Sequence, residues 1–322
     1  MRLPILSPAT YRRVTVVALV ALTFIVLSGA SVRLTGSGLG CPDWPTCDDG
    51  RLVAPWEYHA MVEFVNRAVT GLVSLGVILA VLGSVRRQPR RRDLTRLSLG
   101  LVAGVIGQIV LGRFTVTFEL RPGFVMAHFL LSMVLLANAV VLHDRAGRPD
   151  EGEDRPGTGW MADRDLRRLG SLTVAAAGLV LFLGTVVTSS GPHGGDENAE
   201  RLQFALPEVA RFHGAGVILF LGLTLVSLWR LRSAAAPAAV LRRGEVLLAV
   251  SVAQAAIGYI QYFNGVPALM VGFHVAGAAA VWIAVLRFRL AFAGVPPGPG
   301  MGGDGDAGTA VAATPPAVTA PS

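Results

Sequence analysis

The chain has 322 residues, of which 52% are hydrophobic and only 15% charged, with a formal net charge of +7 and a mean hydropathy of +0.57. That balance excludes a soluble globular domain and places the chain among polytopic membrane proteins. It also excludes nucleic-acid binding as the origin of the charge, because the basic residues sit in loops between apolar runs, where topology accounts for them.

Eight apolar runs are long enough to cross a hydrocarbon core of about 30 Å at about 1.5 Å per residue: 14–31, 62–84, 98–117, 124–143, 170–189, 211–231, 245–263 and 270–291. The first follows Arg12 and Arg13 and ends in LSGAS, a pattern shared with secretory signals. It is expected to be retained, because GASVRLTG at Gly29–Gly36 pairs with GTVVTSSG at Gly184–Gly191. All 28 basic residues are arginine; six lie in 85–96, six in 144–169 and four in 230–243, and the alternate loops hold few. The positive-inside rule therefore predicts a multi-pass protein of a bacterial plasma membrane with both termini cytoplasmic, its arginine collar resting on anionic lipid.

The predicted fold is all-α, with eight transmembrane helices arranged as two homologous four-helix bundles in tandem. Residues 1–143 form the amino-terminal half, 144–169 a Pro/Gly-rich cytoplasmic linker and 170–293 the carboxy-terminal half. Residues 294–322, nearly all Gly, Pro, Ala, Thr and Val, form a tail expected to be disordered.

An internal repeat carries the polar residues. His128 and His274 each lie 20 residues after a glutamine, Gln108 and Gln254, and each glutamine is followed four residues later by Gly112 or Gly258. The offset between the halves is 146 residues at both Gln and His and 155 at Gly29/Gly184, a drop that fits a shorter second outer loop. Asn66 lies 42 residues before Gln108 and His213 lies 41 before Gln254, so Asn66 and His213 are near-equivalent.

Asn66, His128, His213 and His274 all fall early in even-numbered spans and share one depth near the outer face. A histidine inside a membrane helix is costly and marks function, although a lone one also serves as an interhelical hydrogen-bonding group. Duplication and matched depth favour haem ligation, with His213 and His274 as a facing pair. The small residues Gly214, Ala215, Gly216, Ala276, Gly277 and Ala278 are read as leaving room for a flat macrocycle. His143, at a helix end, and His193, in GPHGGDEN, are read as solvated.

Cys41 and Cys47 occur in the outer segment GLGCPDWPTCDDG. An extracytoplasmic loop is where a disulfide persists. A metal site would need two further ligands, so the pair is read as a disulfide, structural or redox-active.

VRLTGSGLGCPDWPTC at Val32–Cys47, ExxNR at Glu63–Arg67, and His128, His213 and His274 resemble the haem A synthase family, over about residues 14–291. The resemblance implies oxidation of the C8 methyl of haem O to a formyl group, giving haem A for aa3-type terminal oxidases. It implies haem b, with its iron on His213 and His274, haem O as substrate in the first half, and Glu63, Arg67 and His128 matching the pattern there. Implied partners are haem O synthase, cytochrome oxidase assembly and an electron donor of unknown identity.

Asn66 departs from the family's commoner histidine, leaving His128 as the one strong axial partner and the iron open on its other side. His59, seven residues earlier, is a substitute candidate. Glu63 is a candidate acid/base group or an arginine partner. Arg33, Arg67 and Arg113 are candidate propionate clamps. The alternative function is a dihaem b-type electron carrier linked to quinol, which would show two axial histidines in each half. An inverted-repeat transporter is disfavoured because the halves are parallel.

Overall fold

The computed structural model describes residues 5–150 and 160–293. Apart from two isolated bridges, Leu6 with Arg87 and Asp48 with Arg51, regular structure among the described residues is helical. The helices are α1 Pro8–Leu34, α2 Tyr58–Arg86, α3 Arg92–Thr117, α4 Pro122–Ala146, α5 Arg164–Ser190, α6 Leu206–Ser233, α7 Ala238–Phe263 and α8 Ala268–Leu290. All eight are long and apolar enough to cross a membrane, and the chain is a multi-pass membrane protein. The predicted tail from residue 294 and the linker residues 151–159 lie outside the described residues.

Each helix starts before its apolar run, and most also end beyond it, because polar residues at the interface continue the helical hydrogen bonding. α1 starts at Pro8, where Ser7 caps the amide of Thr10 at 3.2 Å and proline fits the first turn. α5 starts after Asp163, which caps Leu166 at 2.7 Å. The consequence is that Asn66, His128, His213 and His274 sit in the second or third turn of their helices.

Within each half, sequential helices form a closed ring. α1 packs on α2 and α4, and α3 on α2 and α4; α5 packs on α6 and α8, and α7 on α6 and α8. The diagonals α2/α4 and α6/α8 do not approach along their backbones among the described residues. The two rings meet where α8 packs on α1 and α4 and where α4 meets α5.

The two larger buried apolar clusters lie toward the arginine-rich end of each ring. One gathers Tyr11, Leu22, Val77, Leu94, Leu136 and Leu142; the other gathers Leu166, Phe220, Leu231, Leu247, Val285 and Phe288. Arg87, 1% exposed, closes the first half's end by donating to both oxygens of Asp150 at 2.8 Å. Each bundle is thus close-packed at one end and looser at the other, where the histidines lie.

The turns into α4 and α8 repeat at the backbone level. Glu119 and Leu120 have φ of 50° and 59°, and Gly265 and Val266 have 76° and 59°. Leu120 N–H donates to the Thr115 carbonyl and Val266 N–H to that of Gln261, both at 2.8 Å. This left-handed cap with its six-to-one bond, followed by Pro122 or Pro267, sets the register at which His128 and His274 emerge.

Candidate functional site

In the second half the imidazoles of His213 on α6 and His274 on α8 face each other, with ring centroids 6.4 Å apart and planes at 67°. They bridge a diagonal whose backbones stay apart, so only side chains enter the bundle axis. Two metal–nitrogen bonds of about 2 Å, plus half of each ring, account for a separation of about 6 Å. The pair therefore fits one metal centre between two imidazoles.

Glycine backs each ring. A Cβ at Gly184 on α5 would lie 3.3 Å from His213 Cε1, and one at Gly258 on α7 would lie 3.0 Å from His274 Cε1. The side-chain amide of Gln254 donates to the main-chain carbonyl of His274 at 2.7 Å. Gly277 seats that glutamine, since any Cβ there would overlap it. His274 Nδ1 and His213 Nδ1 are buried without hydrogen bonds, the latter near the Val180 carbonyl. Of the predicted small neighbours, Gly214 faces open space, whereas Gly216 seats Leu183 and Val180. Those small residues thus divide between room and helix packing.

The first half reproduces one side of this arrangement. Gln108 donates to the His128 carbonyl at 3.1 Å and to Ser132 Oγ at 2.6 Å, a Cβ at Gly112 would lie 3.7 Å from His128 Cε1, and His128 Nδ1 is buried and unpaired. At the position corresponding to His213 stands Asn66, whose Oδ1 accepts from Ser28 Oγ on α1 at 2.8 Å. His59 lies elsewhere: its Nδ1 is 2.9 Å from Ser37 Oγ, in the outer loop.

Glu63 and Arg67 form the support of the cysteine loop. Cys41 and Cys47 are disulfide-bonded, and both are buried with Ala54 and Ala60. Glu63, 6% exposed, accepts the Cys41 amide at 2.8 Å on Oε2 and Arg67 Nε at 3.1 Å on Oε1. Arg67 NH2 also contacts Glu63 and donates to the Cys41 carbonyl at 3.0 Å; NH1 donates to Asp43 and Thr46 carbonyls at 3.0 and 2.8 Å. All five guanidinium N–H groups are thereby engaged by Glu63 and the loop.

Arg33 and Arg113 likewise point at protein. Arg33 crosses to the second half, donating to the carbonyls of His193 at 2.7 Å and Thr188 at 3.1 Å, and Arg113 lies 5.8 Å from the Trp44 ring in the cysteine loop. His193, expected to be solvated, donates from Nε2 to the Val266 carbonyl at 2.8 Å. His143, also read as solvated, is half-buried with Nδ1 3.0 Å from Thr15 Oγ1. Sequence reading treats the glutamines only as repeat markers and misses Ser28 altogether; the available signal was that its repeat counterpart, Leu183, is apolar.

The family model described as cytochrome oxidase assembly protein (COX15-CtaA) matches residues 12–58 and 51–192, more than half of the chain. The chain belongs to this cytochrome oxidase assembly protein family. Curated relatives carry the name heme A synthase. A Listeria welshimeri protein is 30% identical over 131 residues, 40% of this chain and 43% of that protein. A Lysinibacillus sphaericus protein is 29% identical over 128 residues, 39% and 42% respectively, and one from Shewanella oneidensis is 30% identical over 147 residues, 40% and 43%. The match thus spans less than half the length of each relative. The family match ends at residue 192, ahead of His213 and His274, which are tied to the first half by the internal repeat. Two neutral imidazoles are a donor set that suits iron among other transition metals.

Proposed function

We propose that this protein is a haem A synthase, oxidising the C8 methyl of haem O to a formyl group to give haem A for aa3-type terminal oxidases. The carrying observation is the asymmetry of the repeat: two imidazoles 6.4 Å apart in the second half, and in the first a single histidine, His128, with asparagine at the position that corresponds to His213. His213 and His274 would hold a resident haem b, and His128 would hold haem O in the amino-terminal half, 1–143. The iron of a bound haem supplies one-electron and oxygen chemistry.

The chain's own residues position and shield that chemistry. Gln108 and Gln254 fix the rotation of α4 and α8 at the level of the histidines, so that each imidazole meets the bundle axis. Glu63 and Arg67 hold the disulfide loop against the outer end of α2, above Asn66, where it limits access of water. In this reading Glu63 acts by positioning the loop, and Arg33 and Arg67 act through the loops they bind. The site is proposed to open near the periplasmic face of a bacterial plasma membrane, with both termini and the 144–169 linker cytoplasmic. Haem O synthase is the proposed source of substrate, and a separate donor supplies electrons.

A carrier cytochrome with two haems is disfavoured by Asn66, because an amide is a poor iron ligand. The test is expression with and without a haem O supply, followed by mass analysis of extracted haems. Haem A is expected only when haem O is supplied to a host lacking its own synthase; its absence, with haem b retained, would favour the carrier.

A further inference from the structure

Asn66 differs from its repeat counterpart in more than ligand strength. Its Oδ1 is fixed by the Ser28 hydroxyl at 2.8 Å, while its Nδ2 closes no hydrogen bond among the described residues. An amide held by its oxygen presents two N–H donors in a set direction. The neighbouring Gly29 reinforces this: a Cβ there would meet nothing within 4 Å, whereas one at its counterpart Gly184 would lie 3.3 Å from the His213 ring. The shorter asparagine leaves open the space that an imidazole fills in the second half. At the Ser28 position the second half has Leu183, which packs on Gly216 and has no hydroxyl to offer. Serine and asparagine therefore occur together in one half, and leucine and histidine in the other.

We propose that Ser28 and Asn66 form a pair in which the serine-anchored amide hydrogen-bonds a small ligand, water or a diatomic molecule, on the side of the first-half haem opposite His128. Ser28 orients, and Asn66 Nδ2 donates. This deepens the haem reading of the first half and rests on His128 being the axial ligand there.

Carbon monoxide is the probe, added to the reduced, detergent-purified full chain reconstituted with iron protoporphyrin. A donor directed at the bound molecule lowers its C–O stretching frequency. Asn66→Leu, close in shape but without donors, is expected to move the stretch to higher wavenumber. Ser28→Ala is expected to move it part of the way or broaden it, as the amide loses its anchor. Asn66→His should abolish the carbon monoxide band by supplying a second imidazole, and serves if the leucine variant does not fold. An unchanged stretch in both Asn66→Leu and Ser28→Ala, with the adduct lost in His128→Ala, overturns the donor pair and leaves the haem reading intact. An unaltered adduct in His128→Ala overturns both.

Discussion

Gln254 donates its side-chain amide to the main-chain carbonyl of His274 at 2.7 Å, and Gln108 does the same to His128 at 3.1 Å. A helical carbonyl already accepts one bond and has a second lone pair to spare, so the amide joins adjacent helices without breaking either. The cost is an unpaired buried oxygen on each glutamine. Gln254→Leu, similar in volume, is expected to lower stability by about 1 kcal/mol, the net value of one such bond, and to speed loss of the second-half haem. Transfer of haem to an excess of apoprotein scavenger measures this. Gly277→Val should act the same way, because its side chain would expel Gln254; undiminished haem retention there would refute the brace.

The glycines behind the rings give a ranked prediction. Added methyl groups would stand 3.0 Å from the His274 ring at Gly258, 3.3 Å from His213 at Gly184 and 3.7 Å from His128 at Gly112. The last is ordinary contact, and the first requires the ring to move. Alanine substitution is expected to disturb haem absorption in that order, with Gly112→Ala close to wild type. Overpacking of this kind typically costs about 1–3 kcal/mol. A Gly258→Ala protein with an unaltered spectrum would mean that the His274 ring is not seated as described.

The eight spans are legible in the sequence because hydropathy reports length directly, while their ends are not, since polar residues such as Arg12 continue a helix as readily as a loop. The histidines are legible because duplication distinguishes them from incidental polar residues. Destinations of the arginines are hidden. An arginine near an outer helix end looks the same whether it meets a propionate or, as Arg67 does, three loop carbonyls and Glu63. The partner of His193 is 73 residues away at Val266, beyond any local pattern. Ser28 is legible only after the repeat is aligned and the apolar Leu183 is found opposite it.

Glu63 and Arg67 should behave as a unit. Removing one member of a buried, hydrogen-bonded ion pair costs about 3–5 kcal/mol; the upper part of that range is not expected here, because Arg67 retains 23% of its side-chain exposure. Arg67→Met is expected to destabilise the fold by about 3 kcal/mol and to make the 41–51 loop sensitive to protease added from outside. Glu63→Gln keeps an acceptor for the Cys41 amide and loses the charge, so it should fall between wild type and Arg67→Met in thermal unfolding. Turnover should decline in parallel with loop protection in both. A Glu63→Gln protein with a wild-type loop and no turnover would instead restore a direct acid/base role for the carboxylate.

Among the contacts that tie the halves together, two side-chain contacts lie at different depths. Trp282 on α8 donates from Nε1 to the Met133 carbonyl of α4 at 2.8 Å, and Arg33 donates to the second half's His193 and Thr188 carbonyls near the outer face. Trp282→Phe keeps most of the ring packing and is expected to cost about 1 kcal/mol. Arg33→Met loses two bonds from a charged donor and is expected to cost about 3 kcal/mol. The sites share no partner, so the double variant should equal the sum of the single variants within about 0.5 kcal/mol, measured by thermal unfolding in one detergent. Additivity would mean that each contact holds the halves at its own level of the interface. A second, separate melting transition in the double variant would show instead that these two contacts are what make the halves unfold together.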